Sequence, residues 1–97
     1  MKVSVTQKHI DKGEPCQAGY CAVALALNEQ TGLAWWVRTK RGGAQAEATH
    51  SGIEIELPAS VLRFVEQFDL GKNAVPGAVR PFEFDFNFQP ELPEVAK

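Results

Sequence analysis

At 97 residues, with 44% hydrophobic and 23% charged content and a formal charge of −2, the chain has room for one small globular domain and a single modest core. The near-neutral balance supplies no global field to recruit nucleic acid or an anionic membrane, and the longest apolar run, Ala22 to Leu27, is far too short to span a bilayer. The chain starts directly with Lys2-Val3-Ser4-Val5 and no apolar leader, so a cytoplasmic protein is expected, with Cys16 and Cys21 reduced.

Val3 and Val5 alternate with Lys2, Ser4 and Thr6, which predicts a short first strand. Thr6 is placed to cap a brief helix from Gln7 to Lys12, which Gly13 ends. Pro15 disfavours helix just before it, and Cys16-Gln17-Ala18-Gly19 reads as a loop. Tyr20 to Glu29 reads as a buried, alanine-rich helix with Gly32 just past its end. Leu33 to Thr39 is β-branched and aromatic and predicts a strand. Its neighbours Trp35 and Trp36 must then face opposite ways. Lys40-Arg41-Gly42-Gly43 reads as a hairpin tip, and Ala44 to His50 as a weak strand at best.

Ile53, Ile55 and Leu57 alternate with Glu54 and Glu56, the pattern of a half-buried strand. Pro58 suits the first turn of the next helix, where Val61, Phe64, Val65 and Phe68 fall at i, i+3, i+4 and i+7. Asp69-Leu70-Gly71 ends it, and residues 72–80 connect. The strongest signal comes last. Phe82, Phe84, Phe86 and Phe88 alternate with Glu83, Asp85, Asn87 and Gln89, so one strand face is entirely phenyl.

This order predicts an α+β domain over residues 1–89, with a loose tail over 90–97. We expect a mostly antiparallel sheet of about four strands, with two or three helices packed on one face. A parallel pairing of the strands ending at Leu57 and beginning at Phe82 is the topological alternative.

Cys16, Cys21, His9 and His50 match a Cys2His2 zinc site in ligand type but not in spacing. A Cys21 thiolate at a helix N-terminus with a histidine base is the corresponding catalytic reading. Against both stands a small apolar cysteine beside Val23 and Leu25. No cofactor motif is present, and none is expected.

The binding candidates are Trp36, Arg38, Lys40 and Arg41, a tryptophan leading the one basic cluster, and the carboxylates Glu54, Glu56, Glu83 and Asp85. The four acids would share one solvent face if their strands are neighbours. Trp36 would share its face with Ala34 and Arg38, leaving Leu33, Trp35 and Val37 to the core.

Two stretches carry a resemblance. The first is Val5-Thr6-Gln7-Lys8-His9-Ile10-Asp11-Lys12-Gly13, followed by Cys16, Cys21 and the run Ala22 to Leu27. The second is Leu57-Pro58, Arg63-Phe64-Val65, Phe68-Asp69-Leu70-Gly71 and Pro81-Phe82-Glu83-Phe84. Together they resemble a family of short proteins encoded in bacteriophages, prophages and some bacterial genomes. In that pattern the cysteines are closer and proline follows the second, whereas here Ala22 follows Cys21. The resemblance implies no catalytic residue. It implies a non-catalytic binding protein of phage or mobile-element type, acting on a host protein such as a defence component. The alternatives are a homo-oligomer that sequesters a small molecule, and a small Cys/His metal-binding or enzymatic protein.

Overall fold

Among the described residues, five strands divide into two antiparallel sheets rather than one. The computed structural model describes residues 1–40 and 43–88. Arg41, Gly42, the end of the phenylalanine run at Gln89 and the expected tail over 90–97 lie outside the described residues. The α+β class stands, with the strands shared between a pair and a triplet.

The pair joins β1 (Lys2–Val5) to β5 (Phe82–Asp85), with Val3 opposite Phe84 and Val5 opposite Phe82. The triplet runs β2 (Trp35–Lys40), β3 (Gly43–Ala48) and β4 (Glu54–Leu57) in that order. β4 and β5 belong to different sheets, so the parallel pairing does not form.

β3 is the central strand of its sheet, not a weak one. Ala44, Ala46 and Ala48 are buried, and Gln45 and Glu47 point the other way. Alanine has little intrinsic strand preference. Here its small side chain lets a helix approach the middle of the sheet, and pairing on both edges supplies the rest.

Among the described residues, three α-helices cover the inner faces. α1 (Gln7–Lys12) packs on α2 (Ala22–Thr31), α2 lies against β1 and β2, and α3 (Ala59–Asp69) lies against β3. α2 starts two residues later than Tyr20. Tyr20 and Cys21 both donate to the Gln17 carbonyl in the preceding loop, and Cys21 becomes the N-cap. A β-carbon on Gly13 would lie 2.6 Å from the Ala22 nitrogen and 2.9 Å from the His9 carbonyl oxygen. Only glycine therefore lets the end of α1 meet the start of α2 so closely. Pro58 is the N-cap of α3 and stands just outside its first turn, while the predicted stripe of Val61, Phe64, Val65 and Phe68 is buried.

Two carboxamides on α2 close the strand edges that face it. Gln30 accepts from the Ser4 N–H at 3.0 Å and donates back to the Ser4 carbonyl at 2.8 Å. Asn28 accepts from the Trp35 N–H at 2.7 Å. The Val37 N–H donates to the Ala18 carbonyl at 2.9 Å, so a loop takes up that edge of β2 beyond Trp35. These contacts satisfy strand donors that would otherwise invite another chain.

The aromatic row knits the two sheets together. β5 ends at Asp85, but Phe86 still donates to the Met1 carbonyl at 2.7 Å and is buried. Trp35, 1% exposed, meets Phe86 edge-on at 5.2 Å and Phe88 at 5.3 Å between centroids. Phe82 meets Phe64 of α3 at 4.8 Å. The indole N–H of Trp35 donates to Thr31 Oγ1 at 2.7 Å, so its polar edge is satisfied inside the core.

Phe84→Ala should cost about 3–5 kcal/mol by opening a cavity in the core, while Asp85→Ala should cost less than about 1 kcal/mol. Chemical denaturation of both variants checks this, and equal tolerance at the two positions would refute the alternating strand.

Candidate functional site

The triplet sheet has one face under helices and one face to solvent. On β2 the burial alternates with Trp35 and Val37 inside and Trp36 and Arg38 outside; Lys40 is also exposed. The register places Trp36 beside Glu47, with Glu54 next in line, and Arg38 beside Gln45, with Glu56 next. The outer face is thus a small grid, with basic residues along β2 and acids along β4.

Trp36 is 43% exposed. The guanidinium of Arg38 stands over its ring at 5.0 Å from the centroid. The Cδ1–Nε1 edge of the indole lies against Gly19, where a β-carbon would come within 3.1 Å of Cδ1. A side chain at position 19 would therefore make the ring shift by a few tenths of an ångström. Arg38 also reaches Glu47 at 3.7 Å, and Lys40 reaches Glu56 at 3.6 Å. Long pairs at a surface contribute about 0–1 kcal/mol each, so they orient the face without locking it.

Five of the eight binding candidates, Trp36, Arg38, Lys40, Glu54 and Glu56, therefore share one solvent face. Arg41 lies outside the described residues. Glu83 and Asp85 do not join that face, because β5 pairs with β1 in the other sheet. There Glu83 accepts from the Ser4 hydroxyl at 3.0 Å and Asp85 pairs with Lys2 at 3.3 Å. Two contributors, Glu47 and Gly19, were not singled out from the sequence. The alternation of Ala44, Ala46 and Ala48 with Gln45 and Glu47 carried the signal for Glu47. Nothing in the sequence marked Gly19.

Of the residues offered for metal or nucleophilic chemistry, His9 and Cys21 are engaged elsewhere, and His50 lies exposed in the turn between β3 and β4. His9 is 5% exposed. Its Nδ1 accepts from the Thr6 backbone N–H at 2.9 Å, which places the ring proton on Nε2, where Glu29 accepts it at 2.6 Å. Both ring nitrogens thus hold α1 to Thr6 and to α2. That hydrogen bond from His9 keeps the Glu29 carboxyl below the usual carboxylate range.

Cys21 is buried, and burial pushes its thiol above the ordinary value; the Ala24 N–H directed at Sγ at 3.5 Å only partly offsets this. Desolvation outweighs the helix N-terminus, so Cys21 is the small apolar cysteine weighed against the catalytic reading. Cys16 is exposed, with φ at +64° and its N–H donating to Asp69 Oδ1 at 2.8 Å. Among the described residues no three His, Cys, Asp or Glu side chains come together to hold a metal ion. Also among them, no helix is long and apolar enough to cross a membrane. A cleft of about 460 Å³ lies between α3 and the approach to β5, lined by Arg63, Phe64, Gln67, Val75, Arg80 and Phe82 among others.

No family model, curated protein or solved structure matches the chain.

Two measurements check these assignments. A thiol-exchange reagent at neutral pH should modify Cys16 in the native chain and Cys21 only after unfolding. Equal native reactivity would contradict the buried N-cap thiol. Glu29 has a folded pKa below its unfolded value, so its contribution is present above the unfolded value and is lost as pH falls through the folded one. Glu29→Gln keeps an acceptor for His9 and removes the charge. It should flatten the acid limb of the stability profile while leaving the fold intact.

Proposed function

We propose that this chain is a non-catalytic binding protein, cytoplasmic and of phage or mobile-element type, that acts on a host protein through the outer face of the β2–β3–β4 sheet. Components of host defence are the first partners to test. The family resemblance of the two terminal stretches supplies the biological context. The observation that carries the reading is Trp36.

A core tryptophan stabilises a small domain by burying its ring, and Trp35 does that here at 1% exposure. Trp36 leaves much of its indole in water, yet its position is set by contacts with Gly19 and Arg38. A preset, amphipathic ring beside an arginine loses little side-chain entropy when a partner covers it. Tryptophan and arginine are also the residue types that dominate interface energetics. The surrounding carboxylates and amines form a polar rim. The enzymatic alternative has less support, since His9 and Cys21 are bound up in holding α1 and α2 together.

Trp36→Ala should change folding stability by less than about 1 kcal/mol and weaken partner binding by about 2 kcal/mol or more, roughly thirtyfold in affinity. Capture from a host lysate identifies the partner, and titration of the two forms with that partner checks the loss. If the substitution instead melts the chain by several kcal/mol, Trp36 belongs to the fold and this reading of it fails.

A further inference from the structure

The outer face is self-complementary in charge, and we propose that a second copy of this chain occupies it as a two-fold dimer. This rests on the reading of that face as a docking surface and names one occupant for it. β2 presents Arg38 and Lys40, β4 presents Glu54 and Glu56, and β3 lies between them. Adjacent strands are about 4.8 Å apart, so the basic and acidic rows are separated by roughly 10 Å.

A two-fold axis running along β3, between two facing sheets, carries each β2 over the partner copy's β4. It preserves position along the strands. Arg38 shares its level with Glu56, and Trp36 shares its level with Glu54. Each Arg38 therefore comes to lie over a Glu56 of the other copy, and each indole over a Glu54. The same contact is made twice, as an isologous interface requires. Glu47 falls near the axis, where two copies would repel, and Arg38 already stands 3.7 Å from it. The intramolecular pair Lys40–Glu56 is long and exposed, and Arg38–Glu47 is equally long with Glu47 partly buried, so the former exchanges for an intermolecular pair at little loss.

The face spans six residues by three strands, about 20 by 14 Å, which is smaller than the patch of a permanent dimer. The assembly is accordingly weak, concentration-dependent and sensitive to salt. Such a dimer shields Trp36 until a host partner displaces the second copy.

Charge exchange tests the geometry. One variant carries Arg38→Glu and Lys40→Glu, making both outer strands acidic. The other carries Glu54→Lys and Glu56→Lys, making both basic. Sedimentation from micromolar to millimolar protein should show the native chain self-associating and each variant doing so about tenfold or more weakly. An equimolar mixture of the two variants should regain association as a heterodimer. Circular dichroism confirms that each is folded. If either fails to fold, the Trp36 indole N–H resonance of the native chain gives the answer, since it should shift with concentration.

A native chain that stays monomeric with an unmoving indole signal overturns the dimer, as does a mixture that stays monomeric. Trp36-dependent capture of a host protein by such a monomer would leave the docking face standing while removing the second copy from it.

Discussion

Two strand edges meet one helix, and the rest of the structure depends on how that helix answers their hydrogen bonds. β1 and β2 belong to separate sheets and never pair with each other. Gln30 and Asn28 on α2 answer them instead, one at the Ser4 peptide and the other at the Trp35 N–H. An unsatisfied buried peptide group costs on the order of 1–3 kcal/mol, so these carboxamides permit two short sheets where one continuous sheet would otherwise be needed. They also fix how the sheets sit around α2, which brings Phe86 and Phe88 against Trp35.

That arrangement separates folding from recognition on a single strand. Trp35 and Val37 of β2 enter the core, where Trp35 packs against Phe86 and Phe88 and is anchored through Thr31. Even positions are left to solvent with nothing structural to bury against except Gly19. Because the core does not use Trp36, Arg38 or the glutamates of β4, those residues are free to vary with a partner. The same division explains why Cys21 and His9 are poor candidates for chemistry. Each makes contacts at a helix start that hold α1 and α2 in place, and each is closed off from solvent.

Features set by local periodicity were legible in the chain. The alternating phenylalanines, the stripe on α3 and the opposed faces of Trp35 and Trp36 each follow from side-chain geometry over a few residues. The partition into two sheets was not, because β1 and β5 pair across almost the whole length of the chain and no local pattern encodes that partner. The placement of Glu83 and Asp85 beside Glu54 and Glu56 depended on a single sheet and fell with it. β3 looked weak because alanine favours helix, yet its value lies in the space it leaves for α3. The roles of Asn28 and Gln30 were hidden for a related reason. A polar residue on a helix ordinarily faces water, and only the strand edges packed beside α2 turn these two into structural donors and acceptors.

Amide hydrogen exchange tests this arrangement most directly. The Ser4 and Trp35 amides each have only a side-chain acceptor on α2, so their protection reports on those two carboxamides. In the native chain both should exchange far more slowly than free peptide. Asn28→Ala should release Trp35 selectively, and Gln30→Ala should release Ser4, with the β2–β3 ladder still protected. Fast exchange of both amides in the native chain, or protection that survives both substitutions, would contradict the claim that α2 joins the two sheets through its side chains.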